Sequence, residues 1–159
     1  MQIKIDVARQ TLVLLDDAGQ VAREYAISTA ANGVGEANGS YCTPRGQHIV
    51  RAKIGADQAE NSVFVRRRPT GEIYTPALGA QFPERDWILT RILWLSGCEH
   101  GFNRLGDVDT MRRFIYIHGS PDEVAMGAPG SHGCLRMRNA DVIDLFDRVP
   151  PGTPVEIIA

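Results

Sequence analysis

Residues 117–138 hold the side chains of this sequence that are best suited to covalent chemistry. A thiol attacks a carbonyl efficiently as its thiolate, so it needs a neighbouring base or cation. Two histidines bracket one cysteine in this segment, and an arginine follows shortly after. The candidate residues are His118, Gly119, Ser131, His132, Gly133, Cys134 and Arg136. Their types and order predict a cysteine nucleophile served by a histidine base.

Of the two histidines, His118 is the better candidate for the base. His132 is two residues from Cys134, so in an extended segment their side chains share a face and run parallel. His118 ends a predicted strand and can approach the sulfur from another direction. Gly133 lacks a Cβ and lets the backbone approach a substrate closely, where main-chain amides near Cys134 can stabilise an oxyanion. Arg136 projects to the same side as Cys134, and its planar fork suits a substrate carboxylate.

Two other interpretations of these residues stay open at this point. One is a zinc-stabilised binding module, in which two Cys/His pairs supply the ligands, although roughly two to four intervening residues are more usual than one. Its ligands would be Cys98, His100, His132 and Cys134. The other is a binding module with a satisfied core histidine and an inert thiol.

The rest of the chain is dominated by short strand patterns between Gly, Pro, Asn and Asp turns. Strands are expected at residues 3–7, 10–15, 21–27, 47–54, 62–65, 113–118 and 154–158, with a strongly apolar run at 87–95. In the strand at 113–118, Phe114, Tyr116 and His118 would share one face. Residues 29–46 are rich in Gly, Asn and Ser and predict a long loop, a feature that is usually functional or mobile.

One helix is clear near the end of the chain. Asn139 is a plausible N-cap, and an apolar face follows at helical spacing. That face consists of Val142, Leu145, Phe146 and Val149. Pro150 ends the helix. The interpretation is a single mostly-β domain over residues 1–159 with one or two short helices.

The composition of the chain limits the classes of molecule that it is expected to bind. The chain has 159 residues and a formal net charge of −2, which argues against a nucleic-acid partner. Lys4, Asp6 and Arg9 interrupt any apolar stretch of the kind found in secretory signals, and no run is long enough to suggest a membrane span. We therefore expect a cytoplasmic protein without a membrane partner. Three cysteines do not suggest a disulfide framework, and Cys42 and Cys98 are expected to be inert.

The motif resembles the signature of the L,D-transpeptidase catalytic (YkuD-type) family. That signature is a His-Gly, a loop, then Ser/Thr-His-Gly-Cys and a following Arg or Asn, matched here by His118-Gly119 and by residues 131–136. Ser28-Thr29 with Thr43-Pro44-Arg45-Gly46 is similar to a second conserved turn of the family. The likeness also covers the first hairpin and the closing helix and strand, so nearly the whole chain takes part.

The resemblance implies a β-sandwich-like fold, no metal and no cofactor. It implies that Cys134 is the nucleophile, that His118 is the base, and that the main-chain carbonyl of Gly119 orients His118. His132 and Arg136 fall where the substrate is expected, and Ser131 belongs to the same set. The implied substrates are peptidoglycan stem peptides. In the expected cytoplasmic setting these would be soluble muropeptides, so an L,D-carboxypeptidase is favoured. The alternative is an L,D-transpeptidase that forms 3-3 cross-links or uses another amine acceptor.

Overall fold

Ten β-strands form one sheet in the computed structural model, which describes residues 1–159. The strands are β1 (Gln2–Asp6), β2 (Thr11–Leu15), β3 (Val21–Ser28), β4 (Gly46–Ile54), β5 (Ser62–Val65), β6 (Arg68–Ile73), β7 (Ile88–Gly97), β8 (Tyr116–Gly119), β9 (Leu135–Met137) and β10 (Pro154–Ile158). Alternate residues of β1 and β2 are fully buried because successive strand side chains point to opposite faces. The prediction of a mostly β fold is confirmed.

The sheet closes on itself. Its strand order is β4-β10-β1-β2-β3-β9-β8-β7-β5-β6, and β4 also pairs with β7. Eight strands therefore form a ring, and the β5–β6 hairpin extends from β7. Closure pairs the backbone groups that would otherwise form open sheet edges. The main core packs against the second helix and includes side chains from β1, β2, β8, β9 and β10.

Two short α-helices accompany the sheet, as expected from the sequence. They are α1 (Pro76–Gln81) and α2 (Asn139–Arg148). Val142, Leu145 and Phe146 bury the apolar face of α2 against the core. The assignment of Asn139 as N-cap is wrong by one residue: Arg138 is the cap position, because the Asn139 side chain is buried in tertiary hydrogen bonds. Neither helix has the length or apolar character needed to cross a bilayer.

Four local elements differ from the sequence prediction. Neither β6 nor α1 was predicted, and β9 is only three residues long and is held by its neighbours. The predicted strand at 113–118 begins later, at Tyr116, because Phe114 adopts a left-handed conformation with φ 57°. Phe114 therefore lies outside the extended strand, but its side chain still lines the same cavity as Tyr116 and His118.

Candidate active site

The parallel pairing of β8 with β9 brings His118 and Cys134 to one cavity. Ile117 pairs with Leu135, and His118 pairs with Arg136. Because Ile117 and Leu135 belong to the main core, the residues that alternate with them face the other side of the sheet. Cys134 lies one residue before β9. Its side chain and the His118 ring both line a cavity of about 400 Å³.

His118 is a buried, neutral histidine with a defined tautomer. Its Nδ1 lies 2.6 Å from the main-chain oxygen of Gly119, and its side chain is almost completely buried. A carbonyl oxygen only accepts hydrogen bonds, so Nδ1 carries the proton and Nε2 keeps its lone pair. Burial lowers the pKa of His118 below its ordinary value, against an opposing effect of Asp86. The ring therefore stands ready to accept a proton at Nε2.

A polar network packs against the strand at Gly119. Thr90 Oγ1 donates to Asn139 Oδ1 at 2.7 Å, and Asn139 Nδ2 donates to Asn61 Oδ1 at 2.9 Å. A Cβ at Gly119 would collide with the Asn139 side chain and would come within 2.6 Å of the Leu89 carbonyl oxygen. Only glycine fits here. The residue whose carbonyl fixes the His118 ring is thus itself confined by close packing.

Cys134 is a protonated thiol in this environment. The Tyr116 amide donates to its Sγ at 3.3 Å, and its own S–H lies 3.4 Å (sulfur to oxygen) from the Phe114 carbonyl. Desolvation raises the pKa of Cys134 to about 12, with a smaller opposing effect of the Tyr116 amide. A neutral thiol that shares a cavity with a neutral imidazole favours proton transfer to His118 during attack, because neither group is charged at rest.

The segment before Cys134 is held by hydroxyl groups. Ser131 Oγ donates to the Cys134 carbonyl at 2.5 Å and accepts from the Gly133 amide at 3.2 Å. Thr43 Oγ1 donates to the Gly133 carbonyl at 2.9 Å. Gly133 has φ 131°, and a Cβ there would lie 3.1 Å from Ile115 Cδ1. Glycine is required because the backbone is both left-handed and tightly packed.

These contacts leave the main-chain amide of Cys134 itself without an intramolecular acceptor. The Gly133 amide is engaged by Ser131, whereas the Cys134 amide donates to no acceptor within the protein. Main-chain N–H groups without an intramolecular partner are suited to stabilise an oxyanion. The sequence predicted amides near Cys134 in this role, and the amides of His132 and Cys134 are available for it.

The remaining predicted site residues lie at different depths. His132 is exposed at the rim of the cavity, where its ring meets Tyr41 edge-on at 6.0 Å between centroids. Arg136 is half-buried outside the cavity lining, and its NH2 donates to Ser28 Oγ at 2.8 Å. Its Nε is buried without a partner. Ser131 lines the cavity, but its hydroxyl is occupied within the loop. The substrate-binding roles of these residues stay predictions.

Sequence reasoning missed the charged wall of the cavity. Its charged members are Arg66, Arg67, Asp86 and Arg113. They come from three separate segments, and no spacing rule links them to the Cys134 motif. Thr43 was also missed as a support of the nucleophile loop, although the Thr-Pro-Arg-Gly turn that contains it was noticed.

The zinc hypothesis is not supported. Cys98, His100, His132 and Cys134 were its four ligands, but no three His, Cys, Asp or Glu side chains of the protein are grouped closely enough to hold a metal ion. Cys98 is an exposed free thiol, and Cys42 and Cys134 are free and half-buried.

Comparison with known proteins identifies the family of this chain. The L,D-transpeptidase catalytic domain (YkuD) model matches residues 1–157. The chain belongs to this family. YqjB of Bacillus subtilis is 33% identical over 115 residues, which are 72% of this chain and 51% of that protein. YbiS of Escherichia coli is 46% identical over 46 residues, covering 29% of this chain and 15% of that protein.

Solved structures show the same fold. An L,D-transpeptidase from Mycobacterium smegmatis has a TM-score of 0.58 at 19% identity, covering 99% of this chain and 58% of that one. L,D-transpeptidase 3 from Mycobacterium tuberculosis, in complex with a faropenem-derived adduct, has a TM-score of 0.58 at 16% identity. The match covers 99% of this chain and 59% of that one. The chain spans about half or less of the length of the curated relatives described above.

Proposed function

We propose that this chain catalyses cysteine-dependent acyl transfer on peptidoglycan stem peptides. The observation that carries the proposal is the shared cavity of Cys134 and His118, with the His118 ring fixed by the Gly119 carbonyl. The bond cleaved joins the L-centre of the third stem residue to the terminal D-Ala. Family membership supports this class of substrate.

The first half-reaction forms a thioester. Cys134 Sγ attacks the carbonyl carbon while its proton moves to Nε2 of His118, and the oxygen becomes an oxyanion beside the Cys134 amide. The oxyanion then collapses, the C–N bond breaks, and the proton on His118 passes to the leaving D-Ala amine. Because the thiol is neutral at rest, His118 must act as general base in the attack and as general acid in the departure.

The second half-reaction returns the free enzyme. Water or an amine attacks the thioester carbonyl while His118 removes its proton. The C–S bond breaks, and Cys134 recovers the proton from His118. With water the product is a tripeptide and the enzyme is an L,D-carboxypeptidase. With an amine the product is a cross-link or another amide, and the enzyme is a transpeptidase.

We propose water as the main acceptor and soluble muropeptides in the cytoplasm as the donors. Cell fractionation of the natural protein tests the compartment. Its recovery outside the cytoplasm would favour the transpeptidase.

The decisive experiment is mass spectrometry of the products formed from a purified disaccharide-tetrapeptide. We expect tripeptide and free D-Ala from wild type and from Cys42→Ala and Cys98→Ala, and no product from Cys134→Ala. Cross-linked dimer as the main product would replace hydrolysis by transpeptidation. Product formation by Cys134→Ala would overturn the nucleophile.

Covalent labelling gives an independent readout. A homologous enzyme from Mycobacterium tuberculosis carries a faropenem-derived adduct, so we expect a penem or carbapenem to acylate this chain at Cys134. Intact-mass analysis should show one adduct on wild type and none on Cys134→Ala. An adduct retained by the alanine variant would assign the reactive group elsewhere.

A further inference from the structure

The tip of the β5–β6 hairpin carries an arginine held over the catalytic cavity. Arg66 and Arg67 occupy the turn with φ 50° and 64°, left-handed values that are uncommon outside glycine. Both line the cavity that contains Cys134 and His118. Two-residue hairpin turns with positive φ at both positions favour Asn, Asp and Gly, so two arginines at these positions are unusual.

Aromatic side chains fix the Arg67 guanidinium. It lies 4.7 Å from the ring centroid of Trp94 and 4.9 Å from that of Phe114. Its NH1 donates to the Tyr116 hydroxyl at 3.0 Å. Each cation–π contact stabilises the charge over a ring face. Three aromatic residues therefore hold the group in one place before any ligand arrives.

The fixed guanidinium keeps most of its hydrogen-bonding capacity. The Tyr116 hydroxyl is its one hydrogen-bond partner in the protein, and no carboxylate forms an ion pair with it. Aromatic faces stabilise a cation without using its N–H groups. Arg67 thus differs from a surface arginine whose side chain must be ordered when a ligand binds.

The other arginines near the site differ from Arg67. Arg66 also lines the cavity, but its exposed side chain has no ring contact or hydrogen bond that would order it. Arg113 donates to the carbonyls of Gly35 and Cys42 and to Ser40 Oγ, so it ties the 29–46 loop in place. Arg136 is bonded to Ser28 outside the cavity lining. Arg67 is therefore the cavity arginine that is both preordered and available.

We propose that Arg67 is a specificity-determining residue that binds a carboxylate of the acyl donor in the Cys134 cavity. The identification of the ligand as a stem peptide rests on the function proposed above. A guanidinium with parallel N–H groups matches a carboxylate in geometry and charge. The donor can present that group at its terminal D-residue or on the side chain of its third residue, and both sources share the same chemistry.

The test compares donors that differ in one charge. Wild type, Arg67→Ala and Arg67→Lys are assayed with a tetrapeptide donor in four forms: unmodified, amidated at the terminal carboxyl, amidated at the side chain of residue three, and amidated at both. Arg68→Ala is the matched control, because Arg68 is exposed on the same hairpin and does not line the cavity.

For wild type we expect one of the single amidations to lower kcat/KM by roughly ten- to hundredfold, the usual effect of losing a charge-assisted hydrogen bond. Arg67→Ala should lower kcat/KM for the unmodified donor by a similar factor. In this variant the unmodified donor and the donor whose amidation slowed wild type should have equal kcat/KM. Arg67→Lys should fall between, and Arg68→Ala should resemble wild type. The ratio of two donors cancels any loss of folded enzyme. If Arg67→Ala lowered kcat/KM by the same factor for all four donors, the proposal would be overturned.

A second measurement does not depend on turnover. The rates of Cys134 alkylation by anionic iodoacetate and neutral iodoacetamide are compared in the Cys42→Ala/Cys98→Ala background. If Arg67 binds carboxylates, Arg67→Ala should lower the iodoacetate-to-iodoacetamide ratio severalfold, and Arg68→Ala should not. An unchanged ratio would overturn the carboxylate site. A lowered ratio without any peptide turnover would uphold the site and reject the stem-peptide function.

Discussion

The Nδ1 of His118 is bonded to the carbonyl oxygen of its own neighbour Gly119, at 2.6 Å. This contact fixes the tautomer through the main chain, with no carboxylate partner for the ring. A carbonyl does not change charge with pH, so the tautomer persists wherever the strand is folded. The base is therefore set by backbone geometry, and its strength is set by burial, which lowers its pKa.

The first prediction concerns the ionisation of the nucleophile. Because desolvation raises the pKa of Cys134 to about 12, iodoacetamide should alkylate it about tenfold faster per pH unit between about pH 7 and about pH 9. The measurement uses the Cys42→Ala/Cys98→Ala background. Turnover should stay flat over the same range, since His118 remains neutral and supplies the base. A plateau of alkylation in this range would indicate a preformed thiolate and contradict the general-base mechanism.

The second prediction separates two roles of Ser131. Its hydroxyl is bonded to the Cys134 carbonyl and the Gly133 amide, so Ser131→Ala should lower kcat with little change in KM and lower the free energy of unfolding by about 1–3 kcal/mol. Ser131→Thr keeps the hydroxyl and should restore most of kcat and most of the free energy of unfolding. Steady-state kinetics and chemical denaturation measure these effects. A rise in KM at unchanged kcat would instead support the substrate contact expected from the sequence.

The third prediction concerns Arg136. The sequence expectation is that it binds substrate, and its buried Nε lacks a partner. Arg136→Ala should then lower kcat/KM by roughly ten- to hundredfold, equivalent to about 1.5–3 kcal/mol, while Cys134 alkylation by iodoacetamide stays nearly unchanged. Arg136→Lys should lower kcat/KM by a smaller factor than Arg136→Ala does.

Two controls define the Arg136 result. Arg138→Ala should have little effect, because Arg138 is exposed at the N-cap of α2, after the end of β9. Ser28→Ala removes the partner of the guanidinium, so a loss equal to that of Arg136→Ala would assign Arg136 to loop positioning. Wild-type activity in Arg136→Ala would remove it from the site altogether.

The fourth prediction links a buried histidine to acid stability. His48 is bonded to the Gly46 carbonyl and to Thr110 Oγ1, and burial lowers its pKa from 6.5 to about 4. The unfolded chain therefore binds the proton more tightly than the folded protein does. Buried, neutral His48 stabilises the folded state above pH 6.5, and this stabilisation is lost as the pH falls toward about 4. The loss should amount to roughly 3 kcal/mol.

Denaturation at a series of pH values measures this loss. His48→Gln should flatten the dependence of the unfolding free energy by about 1.4 kcal/mol per pH unit in the middle of that window. Part of the dependence should persist, because His118 is also buried with a lowered pKa. An identical slope in His48→Gln and wild type would show that His48 does not contribute.

Much of this protein could be predicted from local pattern alone. The alternation in β1 and β2 and the apolar face of α2 depend on near neighbours in the chain, and so does the prediction, still to be tested, that Cys134 rather than Cys42 or Cys98 is the nucleophile. Periodicity and turn chemistry act over a few residues, so they can be read without the fold. The Ser-His-Gly-Cys motif likewise identified the family before any distance was known.

The tertiary structure decided how these pieces meet. Three-residue β9 has too few side chains to carry a pattern, and it exists because β3 and β8 pair with it on both sides. Asn139 has the composition of an N-cap, but a hydrogen-bonded network with Asn61 and Thr90 takes its side chain. Arg67 lies about half the chain away from Cys134, and its place over the cavity depends on rings from β7 and β8. Local sequence constrains backbone conformation, whereas long-range pairing and burial decide which side chains share a site.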